Sequence, residues 1–159
     1  MDRIEHQIEV ELPVRTVYNQ WTQLESFPSF MEGVERVDQL SATRTHWVAE
    51  VAGIHREWDA EITRQEPDRL IEWTGFGGAD NVGVIEFESV SPDRTTVRVG
   101  LEWKPEGALE NVAGALGIVS RRVSDDLTRF KRFVEGLGAE TGGWRGEIAP
   151  DVPTGEVPR

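Results

Sequence analysis

The sequence predicts an α+β protein in which a seven-stranded, curved antiparallel sheet wraps around one long C-terminal helix. Two observations predict this fold. Short segments of alternating apolar and polar residues fill most of the first two thirds of the chain, and a single apolar stripe with helical spacing follows them. Neighbouring strands with short connections pair antiparallel, and a sheet with one polar face must bury its other face. The long helix is the only predicted element of sufficient length to cover that face.

The long helix is predicted over residues 108–137, where apolar residues recur at spacings of three and four. These residues are Leu109, Val112, Leu116, Val119, Val123, Leu127, Phe130, Val134 and Leu137. At about 1.5 Å per residue, such a helix would be about 40–45 Å long. Its second half carries bulky apolar residues and is expected to anchor it. Ser124, Asp125 and Asp126 lie between Val123 and Leu127 and are expected to face solvent.

The first half of this helix is thinner than the second, because it contains Gly114, Ala115 and Gly117. A twisted sheet curls around a helix that lies across it, and small residues on the helix leave part of the interior unfilled. The sequence therefore predicts a cavity between the sheet and the first half of the helix.

The N-terminal segment predicts one strand and two short helices. Ile4, His6, Ile8 and Val10 alternate with polar residues, which is the pattern of a half-buried strand. Pro13 is suited to the start of a helix, and helical spacing continues from there to the break at Phe27-Pro28. A second helical turn is expected over residues 29–32, before Gly33.

Six further strands are predicted between residues 34 and 104. They span residues 34–40, 44–51, 55–64, 70–75, 82–90 and 95–104. The glycine-rich segment 76–81 is interpreted as a loop at the rim of the cavity, and residues 91–94 as a tight turn. Because no phosphate-binding helix follows the glycine-rich segment, it is not interpreted as a phosphate-binding loop.

The domain is expected to span residues 1–138, followed by a flexible tail over residues 139–159. The tail is rich in glycine and proline and has no periodicity. Trp144, Arg145 and Ile148 are the residues expected to hold part of it against the surface.

Composition narrows the possible functions. With 17 basic against 29 acidic residues, the formal charge is −12, which disfavours nucleic-acid and peripheral-membrane partners. There is no cysteine, so disulfides and thiolate metal sites are excluded. Neither a signal peptide nor a membrane span is evident, and we expect a cytoplasmic protein, as a monomer or a homodimer.

The candidate ligand-binding residues are aromatic and apolar side chains whose phase directs them inward. They are Phe30, Trp47, Trp58, Trp73, Phe87, Trp103, Leu116 and Val119. The four tryptophans fall on four different strands and combine large apolar area with a polar N–H, which suits flat, partly polar ligands. The alternative for each of them is that it simply fills the core.

His6 is the weak candidate for a catalytic group, because it is in phase with the apolar residues of the first strand. A buried histidine held by a neighbour is the alternative. Glu57, Asp59 and Glu61 share the outward face of one strand, which argues against a buried pair of catalytic carboxylates. The three histidines have no metal-ligand spacing, and no metal or other cofactor is expected.

Four segments carry a resemblance to a known family. They are IEVELPVRTVYNQWTQLESFPSFMEGVERV, HREWDAEITRQEPDRLIEW, VGVIEFESVSPDRTTVRVGLEWKP and DDLTRFKRFVE, within residues 4–137. The chain resembles the bacterial polyketide cyclase/dehydrase and lipid-transport branch of the START and Bet v 1-like (SRPBCC) superfamily. That resemblance implies a helix-grip fold with a hydrophobic cavity, and it implies no single reaction.

Three functions remain open from the sequence. The first is binding of a hydrophobic small molecule, polyketide-, quinone- or lipid-like, between the sheet and the long helix. The second is an aromatase/cyclase or dehydratase that acts on a poly-β-keto chain in the same cavity. The third is a stress-related or interaction module without a ligand, whose acidic outer sheet face would be the working surface.

Overall fold

The computed structural model describes residues 3–51, 53–76, 80–104 and 112–149. Seven strands occur in the predicted order, and short helices follow the first of them. The strands are β1 (Arg3–Val10), β2 (Val34–Gln39), β3 (Arg44–Val51), β4 (Ile54–Glu66), β5 (Leu70–Phe76), β6 (Asp80–Ser91) and β7 (Arg94–Lys104).

The strands form one antiparallel sheet with the spatial order β1-β7-β6-β5-β4-β3-β2. Consecutive strands are neighbours from β2 to β7, as short connections require. β1 then pairs with β7 over its whole length, from Arg3 opposite Glu102 to Val10 opposite Thr95. The predicted seven-stranded sheet and its antiparallel pairing are confirmed.

The two short helices differ from their predicted bounds. α1 spans Val14–Trp21, and a 3₁₀ helix spans Leu24–Ser29, across the predicted break at Phe27-Pro28. α1 ends early because the Thr22 hydroxyl donates a hydrogen bond to the Asn19 carbonyl, and the Thr22 N–H is shared between two carbonyls. Such local side-chain bonds compete with continued helix.

The long helix, α2, spans Val112–Leu137. Residues 105–111, which include the predicted start of the helix, lie outside the described residues. Its predicted end is confirmed, because Gly138 has a φ of 74° and its N–H donates to the Val134 carbonyl, which is a glycine C-cap.

The second half of α2 is the anchor that the sequence predicts. Leu127, Phe130 and Val134 are buried in the main apolar cluster, and Phe130 packs against Trp21 at 4.8 Å between ring centroids. Polar contacts also tie this half to β1: Lys131 donates to the Glu9 carbonyl.

The chain beyond α2 contacts the domain over residues 139–149, at the side chains that were expected to hold it there. Ile148 is buried, and its backbone pairs with Gln65 of β4 through two hydrogen bonds. The Arg145 guanidinium donates to Asp68 and Asn19. The segment has no periodicity because it is held by individual side chains and one β-bridge, and neither leaves a repeating pattern in the sequence. Residues 150–159 lie outside the described part of the chain.

Candidate functional site

A cavity of about 250 Å³ lies between the concave face of the sheet and α2. Its described walls come from the end of α1, from the 3₁₀ helix and the segment after it, from strands β3 to β7 and from α2, and they are almost entirely apolar. They comprise Trp21, Leu24, Phe27, Met31, Thr45, Trp47, Trp58, Ala60, Ile62, Ile71, Trp73, Asn81, Ile85, Val99, Leu101, Val119, Val123, Asp126 and Leu127. Of the described cavity residues on α2, Val119 lies in the first half of the helix, beside which the sequence predicts the cavity, and Val123, Asp126 and Leu127 lie around its midpoint.

Two tryptophans form a continuous wall on one side. Trp47 of β3 and Trp58 of β4 are directly opposite each other in the register, and their rings stack with centroids 5.8 Å apart at 10°. The Trp47 Nε1–H donates to the Thr45 hydroxyl at 2.9 Å, so the ring orientation is fixed. A stacked aromatic pair of this kind offers a flat apolar surface to a ligand.

Trp73 of β5 forms a second aromatic wall and is held from two directions. Its Nε1–H donates to Asn81 Oδ1 at 2.8 Å. Its ring also lies against Gly83, the residue opposite it on β6, where an added Cβ would overlap the ring. Gly83 is therefore the residue that lets the indole lie flat against the sheet.

Asp126 is the charged side chain among the described cavity residues, and the expectation that it faces solvent is wrong. Its side chain is only 14% exposed. The helical phase explains the error: Asp126 is three residues after Val123 and four before Phe130, so it belongs to the inward stripe. The neighbouring Asp125 is exposed.

The surroundings of Asp126 determine its ionisation. Burial raises the pKa of the Asp126 carboxyl to about 6, although a hydrogen bond from the Glu32 N–H and the positive charges of Arg129 and Arg122 act to lower it. The Glu32 N–H and Arg129 Nη1 both donate to Oδ1, at 3.2 and 3.0 Å. A carboxyl with a pKa near neutrality inside an apolar cavity is suited to donating or accepting a proton.

The same region of α2 is fastened to the segment before β2. Arg122 Nη1 donates to the carbonyls of Glu32 and Glu50, at 2.9 and 3.2 Å. The guanidinium lies against Gly33, which has a φ of 90° and where a Cβ would overlap the guanidinium. This contact holds the helix, the end of β3 and the 31–33 segment together beside Asp126.

The predicted ligand-binding residues separate into three groups. Trp47, Trp58, Trp73 and Val119 line the cavity. Phe30 and Phe87 are buried elsewhere: Phe30 packs on Phe130 and Phe133, and Phe87 packs edge-on against Tyr18. The side chains of Trp103 and Leu116 lie outside the described part of the structure.

His6 points under α2, as its phase predicts, and its Nε2 is 2.9 Å from the Ser120 hydroxyl. It is half-buried and is not among the described cavity residues. Its catalytic role stays a prediction.

The other two histidines lie on the outer face of the sheet. His46 contacts Asp59 and Glu57, at 2.7 and 3.0 Å, and these hydrogen bonds raise the pKa of His46. His55 lies beside Glu35 and Glu57 and is largely exposed. Across residues 3–51, 53–76, 80–104 and 112–149, no group of three or more potential ligands is arranged to hold a metal ion.

The sequence matches a known protein family over most of its length. The family described as polyketide cyclase / dehydrase and lipid transport matches residues 10–132. The chain belongs to this family. It is also 50% identical over 149 residues to an uncharacterized 17.2 kDa protein of Streptomyces lincolnensis, a match that covers 93% of this chain and 99% of that protein.

Solved structures agree on the fold. An aromatase/cyclase from Streptomyces sp. R1128 superposes with a TM-score of 0.74 at 17% identity, over 90% of this chain and 99% of that one. A START superfamily protein from Mycobacterium smegmatis superposes with a TM-score of 0.71 at 15% identity, over 85% and 98% of the two chains. The predicted helix-grip fold is therefore confirmed, and the family match over residues 10–132 confirms the predicted polyketide cyclase/dehydrase branch.

Family and fold together support a role in binding a hydrophobic ligand or a polyketide cyclase-like role. No helix in the described part of the chain is long and apolar enough to cross a bilayer.

Proposed function

We propose that this protein binds a compact, cyclic, largely apolar molecule of about two fused rings that carries a hydroxyl or carbonyl oxygen. The observation that carries the proposal is the cavity itself, with stacked Trp47 and Trp58 on one side and Trp73 on another. An apolar cavity of about 150 Å³ takes one benzene ring. A volume of about 250 Å³ therefore fits about two fused rings better than an extended acyl chain.

Asp126 supplies the polar end of the site. Its Oδ1 receives the Glu32 N–H and Arg129, and no described residue donates to its Oδ2. The protonated carboxyl can donate to a ligand carbonyl, and the carboxylate can accept from a ligand hydroxyl. Because the pKa of Asp126 is about 6, the preferred ligand group changes near that pH.

The cavity favours ligand binding over a ligand-free interaction module. An interaction module that works through its outer face needs no unfilled apolar space between sheet and helix, whereas protein interiors are normally filled to the density of organic crystals. Aromatic side chains around an unfilled space are typical of small-molecule sites.

Calorimetric titration with 2-naphthol tests the proposal. Val119 lines the cavity, and its neighbour Ile118 is 48% exposed and does not. We expect 2-naphthol to bind the wild-type protein, Val119→Phe to weaken binding about tenfold or more by filling the cavity, and Ile118→Phe to have no effect. Absence of binding to the wild-type protein, or equal effects of the two substitutions, would overturn the proposal.

The second candidate is an enzyme of the aromatase/cyclase or dehydratase kind, and Asp126 is the observation that favours it. A cavity carboxylate with a pKa near 6 can remove a proton from the carbon next to a ligand carbonyl and return it elsewhere. Such enolisation is a step common to cyclisation and loss of water.

Deuterium exchange at the α-carbon of 2-tetralone tests the enzymatic candidate separately from binding. Wild-type protein should accelerate the exchange, and Asp126→Asn should reduce the acceleration at saturating 2-tetralone about 100-fold, because the amide cannot take up the proton. Asp125→Asn is the matched control, since Asp125 is exposed on the same helix. Exchange that does not depend on Asp126 would remove this residue from the chemistry.

A further inference from the structure

A second cavity, of about 580 Å³, adjoins the first and has a different chemical character. The two cavities share the walls Trp21, Leu24, Ile62 and Ile71. These common walls place the two cavities next to each other inside the same domain.

The walls that belong to the second cavity alone are mostly polar and uncharged. They include Thr22, Gln23, Ser26, Gln39, Gln65 and Thr141. The charged residue among the described walls is Glu25, whose carboxylate accepts the Gln39 N–H. Hydroxyl and amide groups of this kind recognise neutral polar ligands rather than ions.

Gln65 keeps unused hydrogen-bonding capacity in the wall of the second cavity. Its side chain is largely buried, its Nε2 donates to the Tyr18 hydroxyl, and no described residue donates to its Oε1. Because this oxygen is not sealed off and Gln65 lines the cavity, the oxygen can accept a hydrogen bond from a group bound there.

Gln65 reaches the interior through a β-bulge. The pairing of β4 with β5 shifts register between Ile62 and Arg64. Without the shift, strand alternation would place the even-numbered residues inward and Gln65 outward. The bulge therefore brings an amide into a region that the strand pattern would make apolar.

The outer wall of the second cavity is the segment that follows α2. Gln20 Oε1 accepts the Thr141 N–H at 2.8 Å, and the Thr22 hydroxyl accepts the Trp144 N–H at 2.9 Å. Thr141, Gly143 and Trp144 line the cavity directly. Residues 141–144 thus act as a strap held across the second cavity by side chains of α1 and its C-cap.

We infer that the second cavity is an extension of the binding site that takes a neutral polar arm of the ligand, specifically an arm containing a secondary amide. This inference rests on the proposed function, because the ring system of the same ligand occupies the first cavity. The amide N–H donates to Gln65 Oε1, an acceptor that receives no hydrogen bond from the described residues. Residues 141–144 cover the arm.

A matched pair of probes tests this extension. 2-Methylnaphthalene presents the rings alone, and N-(2-hydroxyethyl)-2-naphthamide adds a secondary-amide arm. We expect the arm to raise the affinity for the wild-type protein about tenfold or more in calorimetric titrations. An arm that gives no gain in affinity overturns the inference and leaves the proposed function standing. Failure of both probes to bind overturns the proposed function and this inference with it.

A substitution that fills the second cavity tests whether the amide arm binds there. Ala42 lines it and is exposed in the turn between β2 and β3, whereas Leu40 lies in the same turn, is 59% exposed and does not line it. Ala42→Phe should abolish the gain from the arm without changing the affinity for 2-methylnaphthalene, and Leu40→Phe should change neither. A gain that survives in a folded Ala42→Phe variant contradicts the inference.

Amide hydrogen exchange of the wild-type protein gives a readout that needs no substitution. The naphthamide probe should slow exchange at the N–H groups of Thr141 and Trp144 several-fold, and 2-methylnaphthalene should not. Equal protection by the two probes contradicts the inference.

Discussion

Two parts of α2 face the sheet, and they differ in how completely the space between helix and sheet is filled. Around Phe130 and Val134 the interior is filled by aromatic rings in contact, and both residues are completely buried. One to three turns earlier, Val119, Val123 and Asp126 face unfilled space. One helix therefore stabilises the fold at its C-terminal end and borders a cavity at its middle, and substitutions in the two parts should have different effects.

The largest difference is expected for truncation of the apolar residues. Phe130→Ala should lower the free energy of unfolding by about 3–5 kcal/mol, because it removes a fully buried ring from a packed cluster. Val119→Ala should cost less than about 1 kcal/mol, because the side chain already borders a cavity. Urea denaturation measures both. Equal losses would show that the cavity end is packed as tightly as the anchor end.

A smaller contrast is expected between two glycines. Gly83→Ala should destabilise the protein by about 1–3 kcal/mol and weaken 2-naphthol binding, because the new methyl group overlaps the Trp73 ring. Gly117→Ala should instead stabilise it by about 0.5–1 kcal/mol, since an added Cβ there meets nothing within 4 Å and alanine favours helix. Thermal unfolding compares the variants, and a stable Gly83→Ala protein with unchanged binding would contradict the role of the glycine.

The smallest expected effect is the dependence of stability on pH through Asp126. Burial raises the pKa of Asp126 from its ordinary 3.8 to about 6, so the folded protein binds this proton more tightly than the unfolded chain. The stabilising contribution is therefore complete below about pH 4 and is lost as the pH rises through about 6. Asp126→Asn should reduce this loss of stability between pH 4 and pH 8 by about 1–2 kcal/mol. The effect is smaller than the full pKa shift would give, because solvent still reaches part of the carboxyl.

Unfolding measured between pH 4 and pH 8 tests this sign. Asp125→Asn serves as the control, because that carboxyl is exposed. A decline that persists unchanged in Asp126→Asn would assign it to other groups.

Periodicity in the sequence accounts for most of the fold and for the aromatic walls of the cavity. Strand alternation identifies the inward face, which is why Trp47, Trp58 and Trp73 were predicted correctly to point inward. It gives no position along the axis of the fold, so Phe87 shares the inward direction of the tryptophans but lies in the packed core. Depth depends on the curvature of the sheet, which no local pattern records.

The most informative residues of the site were those that break a pattern. Asp126 occupies a position three residues from Val123 and four from Phe130, and strict use of the helical spacing would have placed it inside. Its polar chemistry suggested solvent instead. Gln65 faces inward only because of a bulge, and the sequence carries no clear signal for it.

The contact between Trp73 and Gly83 has a consequence for how ligands are selected. The ring donates a hydrogen bond to Asn81 and lies against a backbone surface without a Cβ, so it has little freedom to rotate when a ligand enters. A wall that is immobile before binding loses little entropy on binding and cannot adapt to a differently shaped guest. The cavity therefore has a fixed width at Trp73, and ligands that are thicker than this width are excluded sterically. A change of ligand specificity at this wall would require substitution of Gly83 as well as of Trp73.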